Sequence, residues 1–170
     1  MRVRSPDSDI FFILLHHAKD IQSKLYFDTG SGNNRRLLDI SSLAKEYGED
    51  KSEALMCLHA LTGTDTTSAF KGIGKIKPLN VLFKNQHFEK TICQIGDSWD
   101  IESEMLHILE NFVCVLYGSA RVKSIDNLRL QLLKKKFDHG ETLKCGKSFD
   151  FSSLPPCRDS LQQHRKRANY

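Results

Sequence analysis

Long hydrophobic runs are missing from this 170-residue chain. The run at 10–15, Ile-Phe-Phe-Ile-Leu-Leu, is not exceeded anywhere and falls far short of a membrane span. Asp7 and Asp9 precede it, so the N-terminal region lacks the apolar stretch of a secretory signal. Cysteine is sparse: Cys57, Cys93, Cys114, Cys145 and Cys157 are scattered, with no C-x-x-C among them. An odd count without framework spacing points to reduced thiols and an intracellular setting. Proline numbers four and tryptophan one, and no internal repeat or low-complexity tract is visible. Charge of one sign is also lacking, since 25 Lys and Arg against 21 Asp and Glu leave a net charge of only +4. With 39% hydrophobic and 27% charged residues the chain is long enough for one domain with a core.

What positive charge there is comes in clusters: Lys71, Lys75, Lys77 and Lys84 around a glycine-rich turn, the lysines at 134–136, and Arg165, Lys166 and Arg167. Such clusters can meet a polyanion or simply form a solvated face. The first forty residues read as strands. The run at 10–15 fits a strand buried on both faces. Segments 24–27 and 36–40 are shorter candidates, joined by Thr29-Gly30-Ser31-Gly32-Asn33-Asn34, a hairpin-type loop. Helices follow. Ser41 or Ser42 caps a short one stopping at Gly48. Asp50 caps a second, with Ala54, Leu55, Leu58 and Leu61 on one face, ending at Gly63. A third follows Gly96-Asp97-Ser98, carrying Ile101, Met105, Ile108, Leu109, Phe112 and Leu116, with Trp99 packed as an anchor at its start. A fourth begins near Ser124, presents Ile125, Leu128 and Leu132, and ends in the lysine run. Residues 138–170 read as an extended linker, including Leu154-Pro155-Pro156, and a short basic helix over 159–168. The expected class is therefore α/β: an incomplete sheet of two or three strands, then a mainly helical half. Because the first strand would begin near Met1 with an unpaired edge, the reading expects the C-terminal part of a larger domain.

Two constellations could carry chemistry. Asp7 and Asp9 stand two apart at the end of the first expected strand, where an extended backbone points both carboxylates to one side. Clustered carboxylates are costly unless a cation or a proton relieves them, and oxygen-only ligands suit Mg²⁺ or Mn²⁺. The bland reading is a solvated turn with capping aspartates. The second constellation runs L-H-A-L-T-G-T-D-T-T-S-A-F-K-G-I-G-K over 58–75. Asp65 follows the expected helix end at Gly63, and Gly72-Ile73-Gly74-Lys75 comes seven residues later, before another helix. Glycine turns ahead of a helix expose backbone N–H groups to phosphate.

S-P-D-S-D ahead of an apolar segment, with L-T-G-T-D ahead of G-I-G, resembles the flap endonuclease family of PIN-like nucleases over about residues 3–83. The resemblance implies that Asp7, Asp9 and Asp65 are metal-site acids for Mg²⁺ or Mn²⁺. It makes Gly72, Ile73 and Gly74 a helix–hairpin–helix-type grip on duplex backbone, with K⁺ at the turn and Lys75 and Lys77 near phosphate. It implies a partial PIN-like domain over 1–137 and metal-assisted phosphodiester hydrolysis, with nucleic acid, DNA by preference, as partner and a nuclear setting to match. R-S-P-D-S-D, L-H-A-L-T-G-T-D-T-T-S-A-F and L-P-P-C-R-D-S-L also resemble a group of animal proteins, some derived from mobile elements. Those proteins tend to have cysteine at the place of Thr64 and alanine at that of Pro78; the proline fits only within the first turn of a helix. The flap endonucleases take further acids from earlier strands, so the chain alone is expected to be inactive. The alternative is a non-catalytic remnant that binds nucleic acid or protein.

Two further motifs point to other chemistry. Asp28-Thr29-Gly30-Ser31 matches the D-T-G-S of aspartic proteases, but one copy would demand a homodimer and β-rich flanks. His139, Cys145, Cys157 and His164 are the residue types of a zinc site at spacings wider than structural zinc sites use. His16-His17 reads as an exposed turn pair.

Overall fold

In the computed structural model, which describes residues 1–99, 102–137 and 150–168, the chain opens on a short strand, β1 (Arg2–Arg4). The apolar run at 10–15 is not a strand. It lies within a helix, α1 (Ser8–His16), started by Asp7, whose side chain accepts from the Asp9 N–H. A six-residue apolar run suits a buried strand and a buried helix equally, and periodicity alone cannot separate them. Here the cap decides. Leu15 is buried while Ile10, Phe11, Phe12 and Leu14 pack against the core, because α1 packs along the next long helix and its Phe11 ring meets Phe27.

A one-turn 3₁₀ segment (His17–Asp20) leads to β2 (Tyr26–Thr29), which pairs parallel with β1 and places Val3 opposite Phe27. β3 (Arg36–Asp39) returns antiparallel on β2, with Phe27 opposite Leu38. The expected hairpin is present. The result is a three-stranded mixed sheet in the order β1-β2-β3.

α2 (Ile40–Leu61) is capped by Asp39, which accepts from Ser42 N–H, rather than by Ser41 or Ser42. The two helices expected here are one helical stretch with a kink at Gly48, where φ is +78°. The Ser52 hydroxyl donates to the Gly48 carbonyl that the kink frees. After a long turn come α3 (Ile76–Phe83), α4 (Gln86–Cys93), α5 (Ser103–Leu116), α6 (Ile125–Phe137) and α7 (Arg158–Arg167). Pro78 lies in the first turn of α3, where it costs no hydrogen bond. α5 ends at Gly118, whose φ of +88° lets its N–H and that of Ser119 reach the Val115 and Cys114 carbonyls.

Ala54, Leu58 and Leu61 of α2 meet Phe88 and Ile92 of α4 and Leu109, Phe112 and Val113 of α5 in one core. Phe88 meets Phe112 edge-on, with ring centroids 5.3 Å apart. α7 sends Leu161 into the same core, and its His164 Nε2 lies 2.6 Å from the Leu61 carbonyl oxygen. Trp99 is not the packed anchor expected: 60% of it is exposed. Four cysteines (57, 93, 114 and 157) are free thiols, and Cys145 lies outside the described residues. No described helix is long and apolar enough to cross a membrane.

Candidate nucleic-acid interface

The strand-end acids are placed by the start of α1. Asp7 is exposed, its own N–H donates to the Ser5 hydroxyl, and its carboxylate caps the helix. Asp9 sits in the first turn, half-buried, and its Oδ1 lies 2.7 Å from Nε2 of His59 on α2. They therefore do not share the extended geometry expected for residues two apart. A carboxylate at a helix N-terminus is stabilised by the free N–H groups and the helix dipole. His59 is 4% exposed and stacks on Phe12 with centroids 4.1 Å apart. Its Nδ1 is buried without a partner. The neutral ring therefore donates from Nε2 to Asp9. Burial pushes its pKa below the ordinary histidine value, against the opposing pull of the Asp9 carboxylate.

The turn between α2 and α3 is built from small and polar residues for visible reasons. Gly63 has a φ of +109°, and a Cβ there would stand 2.7 Å from the Ala69 Cα. Thr64 N–H donates to the Thr67 hydroxyl oxygen, and Thr67 donates to the Ala60 carbonyl at 2.7 Å. These bonds fold 64–67 into a loop that leaves Asp65 exposed. Phe70 is buried, and Ile73 N–H closes back on its carbonyl at 3.0 Å.

Lys75 is the pin of this region. Its ammonium donates to the His59 carbonyl at 3.0 Å, to the Thr62 hydroxyl oxygen at 3.1 Å and to the Gly63 carbonyl. It thus serves the carbonyls at the C-terminal end of α2, where a cation is favoured. Burial lowers its pKa, opposed by the Asp9 charge. Through His59, then, the structure brings Asp9 and the Gly72–Lys75 turn to one corner. Lys71 pairs with Asp150, whose carboxyl that ammonium holds down at about 2. Lys77 is exposed at the start of α3. Gly72 needs glycine for its φ of +77°, whereas Gly74 has an ordinary φ and open space where a Cβ would stand.

Among the described residues no group of three or more His, Cys, Asp or Glu side chains is placed to hold a metal ion. Asp7, Asp9 and Asp65 therefore do not form a ready ligand set for Mg²⁺ or Mn²⁺ in this arrangement. Asp28 of the D-T-G-S motif is 2% exposed and bridged by Arg2 at 2.6 Å and Arg35 at 2.8 Å. Hydrogen bonds from Arg35 and Arg2 hold its carboxyl far below the usual range, which no proton-sharing protease dyad could use. Of the zinc candidates, His139 and Cys145 lie outside the described residues. His164 is engaged with Leu61, and Cys157 Sγ lies 3.0 Å from the Ser160 hydroxyl. His16 is half-buried and its Nδ1 meets Glu53 at 2.8 Å, so it is a packing contact rather than a free turn residue.

Sequence reasoning missed His59, although it stands in the motif, because its apparent place was on a helix face. It also missed that Lys75 faces inward. Compared with protein-family models, curated proteins and solved structures, the chain has no match.

Proposed function

We propose that this is a nuclease-like domain that grips the sugar–phosphate backbone of duplex nucleic acid, DNA first, through the turn at 70–77. Gly74 carries the reading. Neither its backbone angle nor any neighbour requires glycine, and the space its missing side chain leaves is open to a backbone approaching from outside. The exposed Lys77 supplies a phosphate contact there at the positive end of the α3 dipole, while its own N–H closes on the Gly74 carbonyl and Pro78 has none to offer. Contacts of this kind position a duplex without reading its sequence.

The chain alone is expected not to cleave. Hydrolysis in the flap endonuclease manner would use a divalent cation at Asp7, Asp9 and Asp65, and those residues do not stand as a set fitted to one. The non-catalytic alternative is favoured by Asp9, which is already engaged by His59.

Fluorescence anisotropy of a labelled duplex with wild-type protein and Gly74→Ala tests the grip. The variant should melt with the wild type and bind more weakly. A folded wild type that leaves the duplex free at low salt would overturn the reading. In the same samples, flapped and nicked DNA should stay intact in Mg²⁺ or Mn²⁺. Cleavage lost in Asp65→Ala would overturn the inactive half of it.

A further inference from the structure

Trp99 is the single tryptophan of the chain, and its indole lies open to solvent beside α7. A large exposed aromatic ring forgoes hydrophobic stabilisation unless something covers it. It is not loosely hung. The buried guanidinium of Arg165 donates to the Trp99 carbonyl at 3.3 Å and holds that backbone against α7. The ring borders a cavity of about 480 Å³ lined by Thr66, Trp99, Gln163, Lys166 and Arg167, within the roughly 300–1,000 Å³ typical of ligand sites.

The lining chemistry is selective. Gln163, Lys166 and Arg167 fall at i, i+3 and i+4, so they share one face of α7. Two are cationic, and among the described residues no carboxylate lines the cavity and neither Lys166 nor Arg167 has an acidic partner. An open π-face beside two cations and a side-chain amide suits a nucleobase with its phosphates. Proteins that hold single strands combine these two elements. Thr66 belongs to the loop that also carries Asp65 and leads on to the Gly72–Lys75 turn. The cavity is therefore continuous in the chain with the duplex grip.

We infer that Trp99, Lys166 and Arg167 form a subsite for an unpaired nucleotide of DNA or RNA. Its base stacks on the indole, and its flanking phosphates meet the two cations. This deepens the proposed backbone grip and rests on it.

Intrinsic fluorescence reads the subsite directly, because Trp99 is the sole emitter of its kind. Full-length protein is titrated at low salt with short oligothymidylate, with oligouridylate of equal length and with blunt duplex. Both single strands should quench the emission, and the tighter one identifies the preferred sugar. Trp99→Ala should weaken single-strand binding roughly 5- to 150-fold, the range of one base–aromatic stack, with duplex binding and melting unchanged. Trp99→Phe, which keeps a ring, should retain most of the affinity. Lys166→Gln with Arg167→Gln should lower the salt slope for the single strand by roughly 1.4, about 0.7 per contact. Unchanged emission at saturation, or wild-type affinity in Trp99→Ala, overturns the subsite. Duplex binding without single-strand binding overturns the subsite and leaves the grip. Single-strand binding without duplex binding upholds the subsite and removes the grip, and binding of neither overturns both.

Discussion

Replacing Lys75 by methionine keeps most of the aliphatic stem and removes the ammonium that serves three acceptors at the end of α2. Two are carbonyls, of His59 and Gly63, and the third is the Thr62 hydroxyl. The hydroxyl keeps its own donor bond to the Leu58 carbonyl at 2.8 Å, so the loss falls mainly on the carbonyls. Hydrogen bonds to a charged group contribute about 1.5–3 kcal/mol, and the relief of a half-buried charge offsets part of that. A loss of about 2 kcal/mol follows. For a domain of this size that lowers the thermal midpoint by roughly 4–8 °C. Circular dichroism melts measure it. The same variant should keep the salt slope of duplex binding once the comparison is made well below its midpoint, because its ammonium faces inward. An unchanged midpoint with a slope reduced by one contact would show that Lys75 is a free phosphate ligand, and would refute the pin.

Phe112→Ala removes a fully buried ring from the α4–α5 packing and should cost about 3–5 kcal/mol, read as a lower urea midpoint; a loss no larger than that of a surface substitution would refute the packing. Gly63→Ala places a Cβ against Ala69 at a positive φ and should destabilise by more than about 1 kcal/mol, read from the same melts. For pH, burial holds His59 below its ordinary value of about 6.5 in the folded chain. The unfolded chain therefore takes up the proton first. This contribution is full above pH about 6.5 and declines as the pH falls below it toward the folded value. Asp28 and Asp39, held low by Arg35 and by Ser42 respectively, lose their contributions only below about pH 4. Melts between these limits should show a falling midpoint that flattens in His59→Gln; a midpoint that rises on acidification would contradict it.

The hairpin of β2 and β3 was legible because a glycine- and asparagine-rich loop joins two short β-prone segments. α5 and α6 were legible from their apolar period and their flanking glycine, serine and lysine. α1 reads as a strand because six apolar residues carry no period, and an aspartate ahead of them fits a cation site or a turn as well as a helix cap. α4 escaped notice since its eight residues are mostly polar and only Phe88, Thr91 and Ile92 turn inward. At the candidate site, the sequence located the acids and the glycine turn but could not orient them. The Asp9–His59 contact spans fifty residues, and the inward turn of Lys75 depends on where α2 ends. The exposure of Trp99 has no local sequence signal.

The salt dependence of duplex binding tests the central claim most directly. Neutralising a phosphate with one lysine adds about 0.9 to the slope of log affinity against log salt. Wild-type protein should bind a blunt duplex with a steep negative slope, and Lys77→Gln should flatten it by about 0.9 without moving the melting midpoint. Binding that ignores salt, or a Lys77→Gln slope equal to the wild type's, would contradict a backbone grip at this turn.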